Sequence, residues 1–330
     1  MDQEHAARLI ELAYASVGVE PRSTVDQNLI DCNVLVSECP VDNHWGWDVL
    51  SEIFHYGTRS IPLAALPGNE RAWAEFYLEH CHHVLASPKP SENIEQYASG
   101  GIELPSFGDN TQFEHVLERR QTVRSFLDKP VPLEVVSHLL QFSLGFMPSR
   151  EVNAPDDLSM TLCRRRCSPS GGGLNATEGY LYVNNVMGLA PGIYYYDSSR
   201  HALHLCTDCL PSLGTVLAGQ HFANNLPVGL FLTSRFDKYW WKYPHSRAYR
   251  MALIEVGHIA QTFQFIATDQ GLGTWLTGAM DEDAIEPLLK LGNSAEQLLF
   301  FVGAGFSDGS HTPKSLRDLM SARTSHEVMS

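Results

Sequence analysis

The feature that most restricts the fold lies between residues 179 and 302, where short apolar stretches surround one long amphipathic helix. Residues 179–183, 192–196 and 202–206 read as strands, and Asp197-Ser198-Ser199-Arg200 supplies the turn of a hairpin between the last two. Residues 228–233 and 297–302 are further apolar strands. Between them Leu253, Val256, Ala260, Phe263 and Ala267 recur every three or four residues, the spacing of a helix with one buried face. Gly271 stands where a helix C-terminus favours glycine. Long helices mixed with strands that include an antiparallel hairpin define an α+β chain, a sheet layered with helices and not a sandwich.

Upstream, Phe113, Val116 and Leu117 have helical spacing and lead into a basic run at Arg119-Arg120, and residues 133–144 read as a second amphipathic helix after Pro130 and Pro132. Residues 1–100 are helices and loops, for example 48–55 and 70–85, and carry no chemical motif. Breaks at 87–93 and 99–101 divide the chain into an N-terminal region, 1–100, and a main domain, 101–330. The N-terminal region is the expected place for substrate or partner recognition.

A net charge of -15 argues against nucleic acid and anionic lipid as partners. The start has no signal-peptide pattern and no long uncharged apolar run follows, so a cytoplasmic protein off the membrane is expected. Seven cysteines, at 32, 39, 81, 163, 167, 206 and 209, fit a reducing compartment better than a disulfide framework. Cys163, Cys167, Cys206 and Cys209 form two close pairs, but 206 ends a strand and the 163/167 spacing is loose for zinc; no metal is expected.

Four segments carry candidate chemistry. In Arg119-Arg120-Gln121-Thr122-Val123-Arg124 the planar guanidinium groups suit anionic oxygens, and alternation would let Arg120, Thr122 and Arg124 grip one ligand. Ser168-Pro169-Ser170-Gly171-Gly172-Gly173 is a loop whose backbone can approach a ligand closely; without a following GKS or GKT it is not a P-loop. Gly271-Leu272-Gly273 lacks the third glycine and preceding strand of a dinucleotide fingerprint. Lys242-Tyr243, just ahead of the long helix, is a candidate proton-handling pair. Read alone, the basic run is more often a solvated patch and the Lys-Tyr pair far more often an ordinary surface pair, while the glycine loop is as often a flexible turn.

Together, in this order, these segments resemble the nitroreductase superfamily of flavin enzymes, and within it the SagB-type azoline dehydrogenases. The resemblance spans about residues 102–306 and rests on the stretches at 118–126, 165–173, 191–197, 242–250, 255–258 and 271–274, with a weaker likeness at 53–59 around His55. It implies a nitroreductase-like mixed or antiparallel sheet flanked by helices, a homodimer that completes the domain, and FMN as cofactor. Carried over by position, Arg120, Gln121, Thr122 and Arg124 would hold FMN. Ser168, Pro169, Ser170 and Gly171 would reach the flavin of the partner subunit, and Gly271, Leu272 and Gly273 would lie near the ring. Lys314, in Pro313-Lys314-Ser315, would contact the phosphate. The family's turn after the last strand is replaced here by Gly303-Ala304-Gly305-Phe306, which leaves the C-terminal phosphate ligands open.

The Lys-Tyr pair is the azoline-oxidising signature of that group. Of two KY dipeptides, only Lys242-Tyr243, not Lys238-Tyr239, has the Arg247-x-Tyr249-Arg250 continuation at the family distance. The implied reaction oxidises a thiazoline or oxazoline, borne on a peptide or a carrier protein, to the aromatic azole, with oxygen reoxidising the flavin. Lys242 would be the base, its pKa lowered by burial or nearby arginines, and Tyr243 its assistant. An NAD(P)H-dependent nitro- or quinone reductase on the same fold, a non-catalytic partner of an azole-forming complex, and a flavin dehydrogenase of another ring remain open alternatives.

Overall fold

The computed structural model describes residues 3–13, 20–31, 34–35, 44–59, 66–89, 101–105, 108, 111–151 and 163–327. The expected breaks near residues 87–101 fall mostly on 90–100, outside the described residues, as do Cys32 and Cys39. The N-terminal helices are α1 (Gln3–Ala13), α2 (Thr24–Asp31), α3 (Val49–Thr58) and α4 (Glu70–Ala86). Then come α5 (Gln112–Arg119), β1 (Val131–Pro132), α6 (Leu133–Ser143), β2 (Thr177–Val183), β3 (Val186–Met187), β4 (Gly192–Asp197) and β5 (Ala202–Thr207). The remainder is α7 (Leu213–Val216), β6 (Val228–Arg235), α8 (Phe236–Lys242), α9 (Arg247–Asp269), β7 (Gly273–Thr277), α10 (Glu282–Ile285), β8 (Glu296–Gly305) and α11 (Lys314–Glu327).

Six strands form one sheet in the order β5-β4-β2-β6-β8-β7, and every neighbouring pair is antiparallel. β1 and β3 make a separate parallel pair. Strand alternation feeds two cores. Leu181 and Val183 of β2 pack with Leu230 and Leu232 of β6 under α6 and α9, whereas Tyr180, Tyr182 and Phe231 face the opposite layer with Trp275 and Phe301. The central strands are therefore buried on both faces, which is why β2 and β6 read as near-continuous apolar runs.

Helix α9 covers the sheet with Val256, Ile259, Ala260, Phe263 and Ala267, and α6 adds Val136, Leu139 and Leu140, followed by Leu144 at its C-cap. Full burial of a side chain such as Phe263 contributes roughly 1.5–3 kcal/mol. Leu253, expected in this stripe, is 44 % exposed; Met251 and Ile254 beside it are also exposed. The N-terminal part of α9 instead turns Ala248, Tyr249 and Ala252 inward, against an aromatic cluster built on Trp45, Trp47, Phe236 and Tyr239. Small residues there let the helix approach that cluster, so the buried arc is displaced from Leu253.

Through this cluster the N-terminal region grips the main domain. Trp45 stacks on His55 with centroids 5.5 Å apart. His55 Nε2 lies 2.8 Å from Gln297 Oε1, and Nδ1 lies 3.1 Å from the Tyr249 hydroxyl. The Gln297 amide nitrogen donates to the carbonyls of Asn293 and Glu296, which turns Oε1 toward His55 and puts the imidazole proton on Nε2. Burial lowers the His55 pKa to about 4, with the Arg59 charge adding to the effect. Arg59 itself bridges Gln297, Glu286 and Asp283.

Candidate functional site

The candidate residues gather at the two ends of α9. Its C-terminus closes in a Schellman turn: Leu272 N donates to Ala267 O at 2.9 Å, Gly271 N donates to Thr268 O at 3.1 Å, and Gly271 has φ +76°. The chain then enters β7, whose first residues hold the basic run. Thr122 forms a parallel bridge with Thr274, and Val123 N donates to Thr274 O at 2.9 Å. Thr274 Oγ1 is fixed in turn by Gln264 Oε1 at 3.2 Å.

This arrangement makes a cavity of about 380 Å³. Gln121, Gly271, Leu272 and Gly273, four of the residues singled out in the sequence, line it together with Glu118, Arg119, Val123, Thr268 and Ser307. Arg120, Thr122 and Arg124 do not line it. Arg124 binds the carbonyl of His311 at 3.0 Å through Nη1, and the His311 ring Nδ1 lies 2.9 Å from the Thr122 carbonyl. Those contacts tie the run to the segment leading into α11, where Lys314 is the exposed first residue. Of the four candidates in the basic run, Gln121 thus lines the cavity, Thr122 and Arg124 join a seam with the C-terminal segment, and Arg120 caps α5 through its N–H to Val116 O.

At the opposite end of α9 stands the glycine loop. Glu255, 2 % exposed, organises it: its carboxylate accepts from Ser170 Oγ at 2.5 Å, Tyr239 Oη at 2.8 Å, and Thr177 N and Oγ1 at 3.0 and 3.1 Å. Burial, followed by the Glu255 charge, raises the Tyr239 pKa well above the usual phenol range, so Tyr239 stays a donor. Ser168 Oγ lies 2.7 Å from Thr262 Oγ1, anchoring the loop further along the helix. Pro169 is exposed and Gly171 sits beside the Tyr239 ring.

Lys242 and Tyr243 lie on this loop. Lys242 Nζ donates to Gly172 O at 2.7 Å, and the Tyr243 hydroxyl lies over the Gly172 Cα. Trp47 Nε1 donates to the Tyr243 carbonyl at 3.0 Å, so the N-terminal region touches the pair directly. Lys242 is exposed in the single chain, contrary to the burial expected of a lysine base. Lys238, one helical turn earlier, points elsewhere and pairs with Glu178 at 2.9 Å.

Between Glu255 and Thr268 the helix rises by about 20 Å. One chain therefore brings the Lys-Tyr pair to the Ser168–Gly173 loop, and Gln121 to Gly271, Leu272 and Gly273, but does not bring these two groups to each other. Arg119, Glu255 and Trp47 were not singled out as site residues. Arg119 shares the basic run and Glu255 heads one matching stretch, whereas nothing in the local pattern marks Trp47.

The six-stranded antiparallel sheet with helices on both faces, and glycine-bared backbone at both ends of α9, is an α+β architecture of the nitroreductase type. The chain belongs to the nitroreductase family, whose model matches residues 117–306. It is 29% identical over 192 residues to the nitroreductase-family protein MJ1384 of Methanocaldococcus jannaschii, covering 58% of this chain and 89% of that protein. It is 23% identical over 304 residues to the trifolitoxin-processing protein TfxB of Rhizobium leguminosarum bv. trifolii, covering 88% of this chain and 77% of TfxB. A crystal structure from Ralstonia eutropha JMP134, described as that of a nitroreductase, matches 63% of this chain and 89% of its own with 21% identity and TM-score 0.48. A chain of the E. coli microcin synthetase McbBCD complex with truncated pro-MccB17 bound matches 70% of this chain and 86% of its own, with 23% identity and TM-score 0.46. No helix among the described residues is long and apolar enough to cross a membrane.

Proposed function

We propose that the protein is an FMN-dependent homodimeric dehydrogenase that oxidises a thiazoline or oxazoline ring, carried on a peptide or a carrier protein, to the azole. The observation that carries this reading is the seating of Lys242-Tyr243 on the glycine loop, with Lys242 Nζ 2.7 Å from the Gly172 carbonyl oxygen. A plain nicotinamide-dependent reductase has no use for a lysine base held there. The likeness to a trifolitoxin-processing protein extends over 304 residues, well beyond the stretch matched by the family model, and supports a precursor-processing setting.

The residues present fit FMN. The cavity at Gly271–Gly273 offers backbone without side chains at two of three positions, the amide of Gln121 and the hydroxyl of Ser307, a donor set suited to a flat polar ring; its charged groups are Arg119 and Glu118, so an anionic tail would lie on the Arg119 side. Thr122 and Arg124 stand on the adjoining seam just ahead of Lys314, and these with Arg120 would be the phosphate contacts. Bound FMN would supply the two-electron acceptor. Lys242 would take the ring proton, and Tyr243 would orient or relay it. Its exposure in the single chain is relieved when a second copy covers it, and exposed Phe113, Leu117, Phe142, Trp241, Met251 and Ile254 supply apolar surface for that copy. Ser168, Pro169, Ser170 and Gly171 would then complete the partner's cavity. The N-terminal region, 1–100, would recognise the carrier of the ring while Trp47 holds the Tyr243 backbone.

The test is anaerobic mixing of the purified protein with a small thiazoline while flavin absorption is followed. Bleaching that air reverses, with a product two hydrogens lighter, is the expected result. A yellow protein that ignores the thiazoline and bleaches with NAD(P)H would make it a nitro- or quinone reductase. A colourless protein would make it a non-catalytic partner.

A further inference from the structure

A second cavity, of about 290 Å³, opens on the other side of the glycine loop, between α8 and the β4–β5 hairpin. Its walls carry three cations, Arg164, Arg166 and Lys238, and two acids, Glu178 and Asp197. The acids are already matched. Glu178 pairs with Lys238 at 2.9 Å, and Asp197 accepts from the backbone N–H groups of Ser199 and Arg200 at 2.9 and 3.2 Å, with the Arg200 guanidinium at 3.5 Å.

The arginines are not. Arg166 is 5 % exposed, donates to Thr177 O at 2.6 Å and to Ser198 Oγ at 3.2 Å, and its Nε has no partner. No carboxylate among the described residues lies within ion-pair distance of it. Arg164 donates to Ser199 Oγ at 2.8 Å and reaches Glu151 only at 3.9 Å. Both guanidinium groups flank the Phe146 ring, at 5.1 and 5.2 Å from its centroid. A buried cation without a counter-charge is costly, and a planar guanidinium is matched best by a planar oxyanion.

We propose that this cavity binds a carboxylate-bearing ligand, its carboxylate held by Arg166 and Arg164 and its body against Phe146. The walls carry three cations against two acids, a net charge of +1, which calls for a monoanion rather than a phosphate dianion. The site shares its walls with the machinery next door. Leu174 and Asn175, which line it, follow directly on the Gly171–Gly173 loop, and Lys238 precedes Lys242 by one turn, about 6 Å of rise along α8. The carboxylate is either an acidic side chain of a peptide or a free small acid.

The test is calorimetric titration of the full chain, as isolated, with N-acetylglutamate α-amide, its neutral twin N-acetylglutamine amide, propionate and inorganic phosphate. Saturable binding of the glutamate probe is expected, at least about tenfold tighter than its neutral twin, the scale of a charge-assisted hydrogen bond. Arg166→Met and Arg164→Met should each weaken it by a similar factor. If Arg166→Met fails to fold, the more exposed Arg164 decides. Propionate equal to the glutamate probe would assign a free acid; weaker propionate would assign a peptide side chain. Equal binding of the neutral twin, tighter binding of phosphate, absence of saturation, or affinity unchanged in Arg164→Met would overturn the proposal.

Discussion

Lys242 Nζ donates a 2.7 Å hydrogen bond to the carbonyl oxygen of Gly172, 70 positions earlier in the chain. The glycine is in the left-handed region, φ +64°, and a Cβ built there would collide with the Tyr243 hydroxyl and meet Lys242 Nζ at 3.0 Å. Backbone conformation at one residue therefore sets where both members of the Lys-Tyr pair can lie.

Gly172→Ala should leave the sheet intact and displace the pair. The left-handed backbone costs roughly 1–2 kcal/mol with a Cβ, and misplacing a reacting group by about 1 Å can cost on the order of 10²-fold in rate. The measurement is azoline turnover beside a thermal melt. Turnover equal to wild type would remove the pair from the chemistry.

The two lysines of α8 should separate cleanly. Lys242→Ala should retain flavin yet lose on the order of 10²–10⁴ in turnover, the usual contribution of a general base. Lys238→Ala should leave Glu178 without its cation and cost about 1–3 kcal/mol of stability, with turnover largely kept. Steady-state kinetics and denaturant melts on both variants check this; a reversed pattern would move the base to Lys238.

Complementation tests whether two chains build one site. A Lys242→Ala chain and a chain carrying Arg119→Glu with Gln121→Glu should each be inactive alone. Mixed, denatured and refolded together, they should regain about a quarter of wild-type activity, since half of the dimers are mixed and each mixed dimer has one intact site. No recovery would mean that the Lys-Tyr pair and the Gly271 cavity do not serve one shared centre.

His55 gives the fold a pH dependence. Its pKa falls from 6.5 to about 4 on folding because burial penalises the charged ring. Below 6.5 the unfolded chain binds a proton that the folded chain refuses. The His55 contribution is therefore whole above pH 6.5 and is lost toward pH 4, at about 1.4 kcal/mol per pH unit. The stability difference between wild type and His55→Gln, measured by denaturant melts from pH 4 to 7, should shift in that direction. A constant difference would show that the ring is not held neutral.

Much of the fold was legible from pattern alone. Strands β2, β4, β5, β6 and β8 and helices α6 and α9 follow from apolar runs and periodicity, which report burial on a sheet face or a helix stripe. The exposure of Leu253 was not legible, because helical spacing fixes an arc and not which neighbour covers its edge. Gly271 could be assigned from sequence because a Schellman turn requires a residue tolerant of positive φ.

The chain's order of residues thus determined its elements, the glycine-bearing turns and the segments with chemical potential, all of which depend on neighbours within a few positions. Only tertiary structure decided that Gln121 shares a cavity with Gly271 while Arg124 turns to His311, and that Glu255 ties Ser170 to Tyr239. It also decided that Trp47 holds the backbone of Tyr243, a contact spanning 196 positions. Such contacts form where packing of α9 and the sheet brings distant segments together, and no local periodicity records which side chains will meet there.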